Sequence, residues 1–183
     1  MSNSISPDLN LRPAKPDDAA MLAEFAELSF RDAFESVNTP QDIELYVADA
    51  FAFETLQQIL LDSDVETVIC LAGNELAGYV ELWSTPGPDC IAEQDLLEIR
   101  RLYVGKSWQG RGVAQELLAA AKAAAQRRHA RALWLGVWEH NPRAVGFYRK
   151  CGFVAVGTHP FVLGTDQQTD LVMSCRVEEL NLD

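Results

Sequence analysis

The stretch LLEIRRLYVGKSWQGRGVAQELLAAAKAAAQRRHARALWLGVW, residues 96–138, limits the possible folds more than any other part of the chain. A β-rich run from Leu96 to Val104 breaks into the polar turn Gln109-Gly110-Arg111-Gly112. A helix from about Gly110 to Arg128 follows, rich in Ala and Leu, which are strong helix formers. Its end carries Arg127, Arg128 and His129, which suit the negative end of a helix dipole. ALWLGVW is mostly apolar, as in a central strand covered on both faces. A strand, helix, strand unit of this length implies parallel neighbours. Ligands in such open sheets sit at the carboxyl ends of the strands.

The flanking segments extend the pattern to β-α-α-β-β-β-α-β-α-β-β, an α/β chain. A short strand is expected near Asn10–Arg12, then a helix capped at Asp17 or Asp18. A second helical region is expected over about 40–61. Strands over about 65–72 and 75–84 form a hairpin around Gly73-Asn74. In NPRAVGFYRKCG, Asn141 caps a helix, Pro142 takes its first position and Gly152 closes it. Two last strands, near 153–163 and 169–177, flank GTDQQT, read as a polar loop. No repeat or linker divides residues 1–183, so one domain is expected, with loose tails at 1–8 and 178–183.

Composition narrows the function classes. The net charge of −12 argues against a nucleic-acid partner and favours a cationic small molecule or basic peptide. Cys70, Cys90, Cys151 and Cys175 form no CxxC pair, and His129, His140 and His159 lack metal-ligand spacing, so no metal is expected. The start, MSNSISPDLNLRP, lacks a basic region followed by an apolar one, and no apolar run reaches the length of a span. A cytoplasmic protein with free thiols and no membrane partner is the expectation.

The glycine turn carries the chemistry. A helix N-terminus offers unpaired amides and partial positive charge, and glycine lets a ligand approach the backbone. Gly110, Arg111, Gly112, Val113 and Ala114 therefore read as a pyrophosphate cradle, with Arg111 adding charge-assisted bonds. No acidic residue lies between Gly105 and Gln115 to repel an anion. The turn lacks the third glycine of the dinucleotide fingerprint and the Lys-Ser/Thr of the P-loop. An ordinary strand-to-helix connection remains the alternative.

The turn, the next strand and the following helix together resemble the GCN5-related N-acetyltransferase superfamily. Gln109, Gly112 and Ala114 match its Gln/Arg-x-x-Gly-x-Gly/Ala pattern, and Asn141, Ala144, Phe147, Tyr148, Gly152 and Phe153 match its second motif. The resemblance covers about 65–176. It implies a mixed, mostly antiparallel sheet, splayed at two middle parallel strands, with helices on both faces. It implies acetyl-CoA as co-substrate, its pyrophosphate on the amides of Gly110 to Ala114 with Gln109 also binding the cofactor, and its pantetheine arm along Leu102, Tyr103 and Val104 like an added strand. Asn141 would contact that arm. Tyr148 would be the general acid for the departing thiolate, since a phenol stays protonated at neutral pH.

Glu98 is the candidate base for the amine, acting through water; pairing with Arg100 or Arg101 is its structural alternative. The block 133–174, with EIRRLYV and SFRDAFE, is similar to the PaiA-type branch of bacterial spermidine/spermine N-acetyltransferases. That implies acetyl transfer to a polyamine by direct attack in a ternary complex, and relatives that often form homodimers. A polycation needs spaced carboxylates and apolar walls. Asp32, Glu35, Glu81 and Glu139 are the candidate carboxylates, with Phe34 and Trp83 as walls. His140 and His159 read as surface or cap residues. The alternatives are a peptide amine, an amino sugar, or a non-catalytic acyl-CoA-binding module.

Overall fold

A computed structural model describes residues 8–182. Seven strands form one sheet in the order β1-β2-β3-β4-β5-β7-β6. They are β1 (Leu9–Pro13), β2 (Val65–Ala72), β3 (Glu75–Trp83), β4 (Leu96–Val104), β5 (Ala132–Trp138), β6 (Val154–Leu163) and β7 (Asp166–Arg176). Only β4 and β5 run parallel; every other pair is antiparallel. The helices are α1 (Ala19–Phe34), α2 (Pro40–Ala50), α3 (Phe53–Leu61), α4 (Val113–Arg127) and α5 (Pro142–Lys150).

The helices cover both faces, as the family resemblance implies. Leu117, Leu118 and Ala121 of α4, with Val145 and Tyr148 of α5, pack on Val80, Leu133 and Met173 of the sheet. On the other face Leu22 and Phe30 of α1, Ile43 of α2 and Leu56 of α3 enclose Ile69 and Tyr79. Two apolar clusters of this kind exist because β2 and β3 are buried on both sides, which explains their nearly continuous apolar runs.

Several boundaries differ from expectation, each for a local reason. The helical region expected over about 40–61 consists of two helices, with a break at Phe51-Ala52, where Ala52 is extended. The break turns Phe51 inward, edge-on to Phe30 and beneath the Arg101 guanidinium. Asp18 does not cap α1 with its side chain. Its carboxylate accepts instead from the Lys15 amide and the Arg12 guanidinium. The expected loop GTDQQT shrinks to a turn at Gly164-Thr165, and residues 166–169 belong to β7. Asp42 of α2 accepts from the Thr165 amide and hydroxyl, both at 2.7 Å, and so pins that turn.

The expected tail at 178–183 does not hang free over its described part. Leu180 is buried, its carbonyl accepts from Lys122, and the Asn181 amide donates to Cys151. Of the tail expected at 1–8, residues 1–7 lie outside the described residues. No helix among the described residues is long and apolar enough to cross a membrane.

Candidate active site

The site begins where β4 and β5 separate. Their ladder spans only Leu96↔Ala132, Leu97↔Leu133 and Glu98↔Trp134. At the next residues β4 bulges: Glu81 faces Arg101 while Leu82 faces Ile99, so Arg100 is extra. Beyond Glu98 the β5-facing edge of β4 has no strand partner, and the sheet opens as a V between Ile99–Val104 and Gly136–Trp138. An open edge of this kind can pair with an extended ligand.

Two grooves enter the V. One, of about 790 Å³, runs along Leu102, Tyr103 and Val104 to the start of α4 and to Asn141 and Tyr148. The other, of about 1140 Å³, is walled by α2, α3, Trp83, Glu98 and the β6 residues Phe161 and Val162. Arg100, Arg101, Gly136, Phe161 and Asp170 line both, so the grooves meet there.

The glycine turn shapes the head of the narrower groove. Gly110 and Gly112 take φ of 75° and 84°, a left-handed backbone that side chains disfavour. Gly112 caps α4 without a side-chain partner, and the first intrahelical bond is Glu116 N–H to Gly112 C=O. The Val113, Ala114 and Gln115 amides therefore have no partner within the helix and border the groove with Gly110 and Gly112. Because α4 starts at Val113, Glu116 falls in its first turn, but it does not line the groove.

Arg111 departs from expectation: its guanidinium stacks over Trp108, 5.2 Å from the ring centre, and does not line the groove. Lys106 and Arg143, neither singled out in the sequence, supply the positive charge there. Gln109 ties the parts together, accepting from Arg143 at 2.6 Å and donating to the Val104 carbonyl at 3.3 Å.

Asn141 caps α5 by accepting from the Ala144 amide at 3.1 Å. That uses its oxygen and leaves the Nδ2 donors for the groove it lines. Tyr148 is buried against Phe147 and Phe153 and lines the same groove. Burial pushes its phenol well above the ordinary value near 10, so the proton stays on at neutral pH.

The expected carboxylates scatter. Glu98 is 5% exposed and faces the wider groove, accepting from Thr85 at 2.9 Å and Arg100 at 3.1 Å. Glu81 is fully buried and accepts from Arg101 and Trp83, so it has no reach to a ligand. Burial works against the Arg101 charge, but the Glu81 carboxylate outweighs it and holds the guanidinium protonated. Glu35 points to Arg31 at 3.7 Å and lines neither groove. Glu139 stands exposed beside His140, outside both. Asp32 and Phe34 border the narrower groove, and Trp83 walls the wider one.

The wider groove holds groups that sequence reasoning passed over. Asp49, Glu54, Asp62 and Asp170 join Glu98 there, against Arg100 and Arg101. His159 is half-buried in it and paired across the hairpin with Asp170. Gly136 was the legible signal, since glycine within an apolar strand marks a close approach. A Cβ there would lie 2.5 Å from His159 Nε2 and 3.1 Å from Asp170 Oδ2.

A scan against protein families matches residues 22–153 to the acetyltransferase (GNAT) family. An uncharacterised N-acetyltransferase of Lactobacillus delbrueckii subsp. lactis is 32% identical over 160 residues, covering 83% of this chain and 90% of its own. The PaiA N-acetyltransferase of Thermoplasma acidophilum, solved with coenzyme A, superposes with a TM-score of 0.77 at 21% identity, covering 92% and 99% of the two chains. A spermidine N-acetyltransferase chimera from Vibrio cholerae superposes at 0.68 with 20% identity, covering 93% and 96%. The sheet opened beside a glycine-capped helix accords with these matches: the chain belongs to the acetyltransferase (GNAT) family, as an acetyl-CoA-dependent N-acetyltransferase.

Proposed function

We propose that the protein acetylates a primary amine of a small polycationic substrate, a polyamine of the spermidine or spermine type. The observation that carries this reading is the wider groove. It sets five carboxylates against two arginines, between apolar walls that include Ile59, Trp83, Phe161 and Val162. Carboxylates attract ammonium groups, and apolar walls accept the methylene runs between them.

Acetyl-CoA supplies an activated acyl group, and the residues of the narrower groove fit it. The amides of Gly112–Gln115, with Lys106 and Arg143 nearby, hold its phosphates. The open edge at Leu102–Val104 and the Asn141 amide hold its arm. Tyr148 offers a proton donor beside the V. Its raised phenol is a weaker acid than a thiol, so it acts by hydrogen-bonding the departing sulfur and relaying a proton. Glu98, with both oxygens engaged, attracts the cation and stiffens the wall.

Thiol release should be measured with spermidine, spermine, peptides with free α-amines and amino sugars. The highest kcat/KM is expected with a polyamine. A peptide or amino sugar as the best acceptor would overturn the polyamine reading.

A further inference from the structure

The other buried carboxylates have partners. Glu81 accepts from Arg101 and Trp83, Glu98 from Thr85 and Arg100, and Asp42 from Thr39 and Thr165. Asp170 is 8% exposed, its Oδ1 is sealed from solvent, and no donor among the described residues reaches the carboxylate. His159 Nε2 is likewise buried without a partner. His159 Nδ1 lies 3.1 Å from the Pro160 carbonyl, which holds the proton on Nδ1 and leaves Nε2 a lone-pair acceptor.

A carboxylate oxygen and an imidazole lone pair thus converge over Gly136, where a Cβ would meet both. His159 Nε2 and Asp170 Oδ1 are buried acceptors without a donor, and Oδ2 of the same carboxylate lies with Nε2 over Gly136; a cationic donor completes such an arrangement. The point lies at the junction of the two grooves: Asp170 and Gly136 line both.

We propose that Asp170 and His159 seat the reacting ammonium of the acceptor, and that Asp170 is the base that takes its proton. The inference rests on the amine-acetyltransferase reading and adds the residues that receive and activate the amine. Asp170 interacts with His159 on β6. The charged and titratable groups that share the wider groove with it are Tyr46 and Asp49 on α2, Glu54 on α3, Asp62, and Glu98, Arg100 and Arg101 on β4. Those that share the narrower one include Asp32, Tyr103, Lys106, His140, Arg143 and Tyr148. Both arginines are engaged, Arg101 by Glu81 and Arg100 by Glu98, so neither neutralises Asp170. Burial lifts the Asp170 carboxyl to about 6; only a protonated His159 would pull it back down. It is then ionised at neutral pH and more basic than a solvated aspartate, as a base for this step requires.

The step balances as follows in atoms and charge. The ammonium passes one proton to the Asp170 carboxylate. The freed nitrogen pair forms the C–N bond to the thioester carbonyl carbon, and the C–S bond breaks with its electron pair going to sulfur. The second nitrogen proton reaches the thiolate through the Tyr148 hydroxyl. Asp170 releases its proton to solvent, so one ammonium and one acetyl thioester yield one amide, one thiol and one proton.

The test compares wild type, Asp170→Asn and Glu98→Gln with spermidine and acetyl-CoA across pH 5–9, alongside coenzyme A binding by calorimetry. Asp170→Asn is expected to lower kcat/KM for the amine by about 100-fold or more and to abolish the acid limb of its pH profile. Coenzyme A affinity should stay within about threefold, and Glu98→Gln should keep the limb. Activity and limb both surviving in Asp170→Asn would overturn the base while leaving polyamine acetylation standing. A wild-type protein that binds coenzyme A but acetylates no amine would overturn both readings.

Should Asp170→Asn fail to fold, carbon-13 NMR of the wild-type Asp170 carboxyl gives an independent answer. Spermidine added to the coenzyme A complex should lower its apparent pKa by about one unit or more, as a docked cation requires. An unmoved titration would overturn the proposal.

Discussion

Gly112 shows how much one residue can decide. Its φ of 84° aims the first amides of α4 outward, and no atom stands within 4 Å of where a Cβ would go. Space therefore does not demand glycine there; backbone conformation does, and on the proposed cradle an approaching anion would as well. Gly112→Asp should weaken coenzyme A binding by about 100-fold or more in calorimetry, through repulsion and strain at the phosphate seat. Affinity within a few fold of wild type would count against the cradle. Tyr148→Phe should lower kcat by about 100-fold while leaving coenzyme A affinity nearly unchanged, since it removes a proton relay and no bond to the phosphates. Asp170 also makes a stability prediction with a definite sign. Its carboxyl is raised by burial from the ordinary 3.8 to about 6, so the folded state binds the extra proton between those values. Its contribution is most favourable below pH 4 and is lost as pH rises to 6. In urea unfolding, wild type should therefore lose stability relative to Asp170→Asn over that window, and parallel curves would refute the assignment.

Elements with strong punctuation could be read directly. The α5 helix shows Asn141, Pro142 and Gly152 at the positions its geometry uses, and the structure places the cap, the first residue and the left-handed close there. Asn141→Ala should cost about 1 kcal/mol of stability, read by denaturant unfolding, as loss of an N-cap does. Strand β4 was legible to the residue because apolar and turn signals bound both its ends. Strand β7 was not: Asp166, Gln167, Gln168 and Thr169 look like a loop, yet they pair with β6 at the sheet end, where polar side chains face water. The surroundings of the strand carboxylates were illegible for a related reason. Glu81 and Asp170 are both single acids in strands, and only the cross-strand register shows that one faces Arg101 and the other His159. Sequence spacing within one strand does not reveal what the neighbouring strand presents.

Among the described residues, the two larger apolar clusters clamp a sheet whose middle is left open. Leu118, a fully buried residue of α4, belongs to the cluster that holds this helix on the sheet. Leu118→Ala should destabilise the protein by about 2–5 kcal/mol in urea unfolding. An excess of negative charge, −12 overall, surrounds a groove rich in carboxylates. On the proposed polyamine acceptor, charge steers association, so kcat/KM for spermidine should fall steadily as salt rises from 10 to 500 mM, by about tenfold. A salt-independent value would show that the groove's charge does not guide the acceptor. The account stands most heavily on one placement, and a crystal structure with coenzyme A bound measures it directly. The pyrophosphate is predicted within hydrogen-bonding distance of the amides from Gly112 to Gln115, with the pantetheine arm along Leu102–Val104. Phosphates seated away from the α4 N-terminus would contradict it.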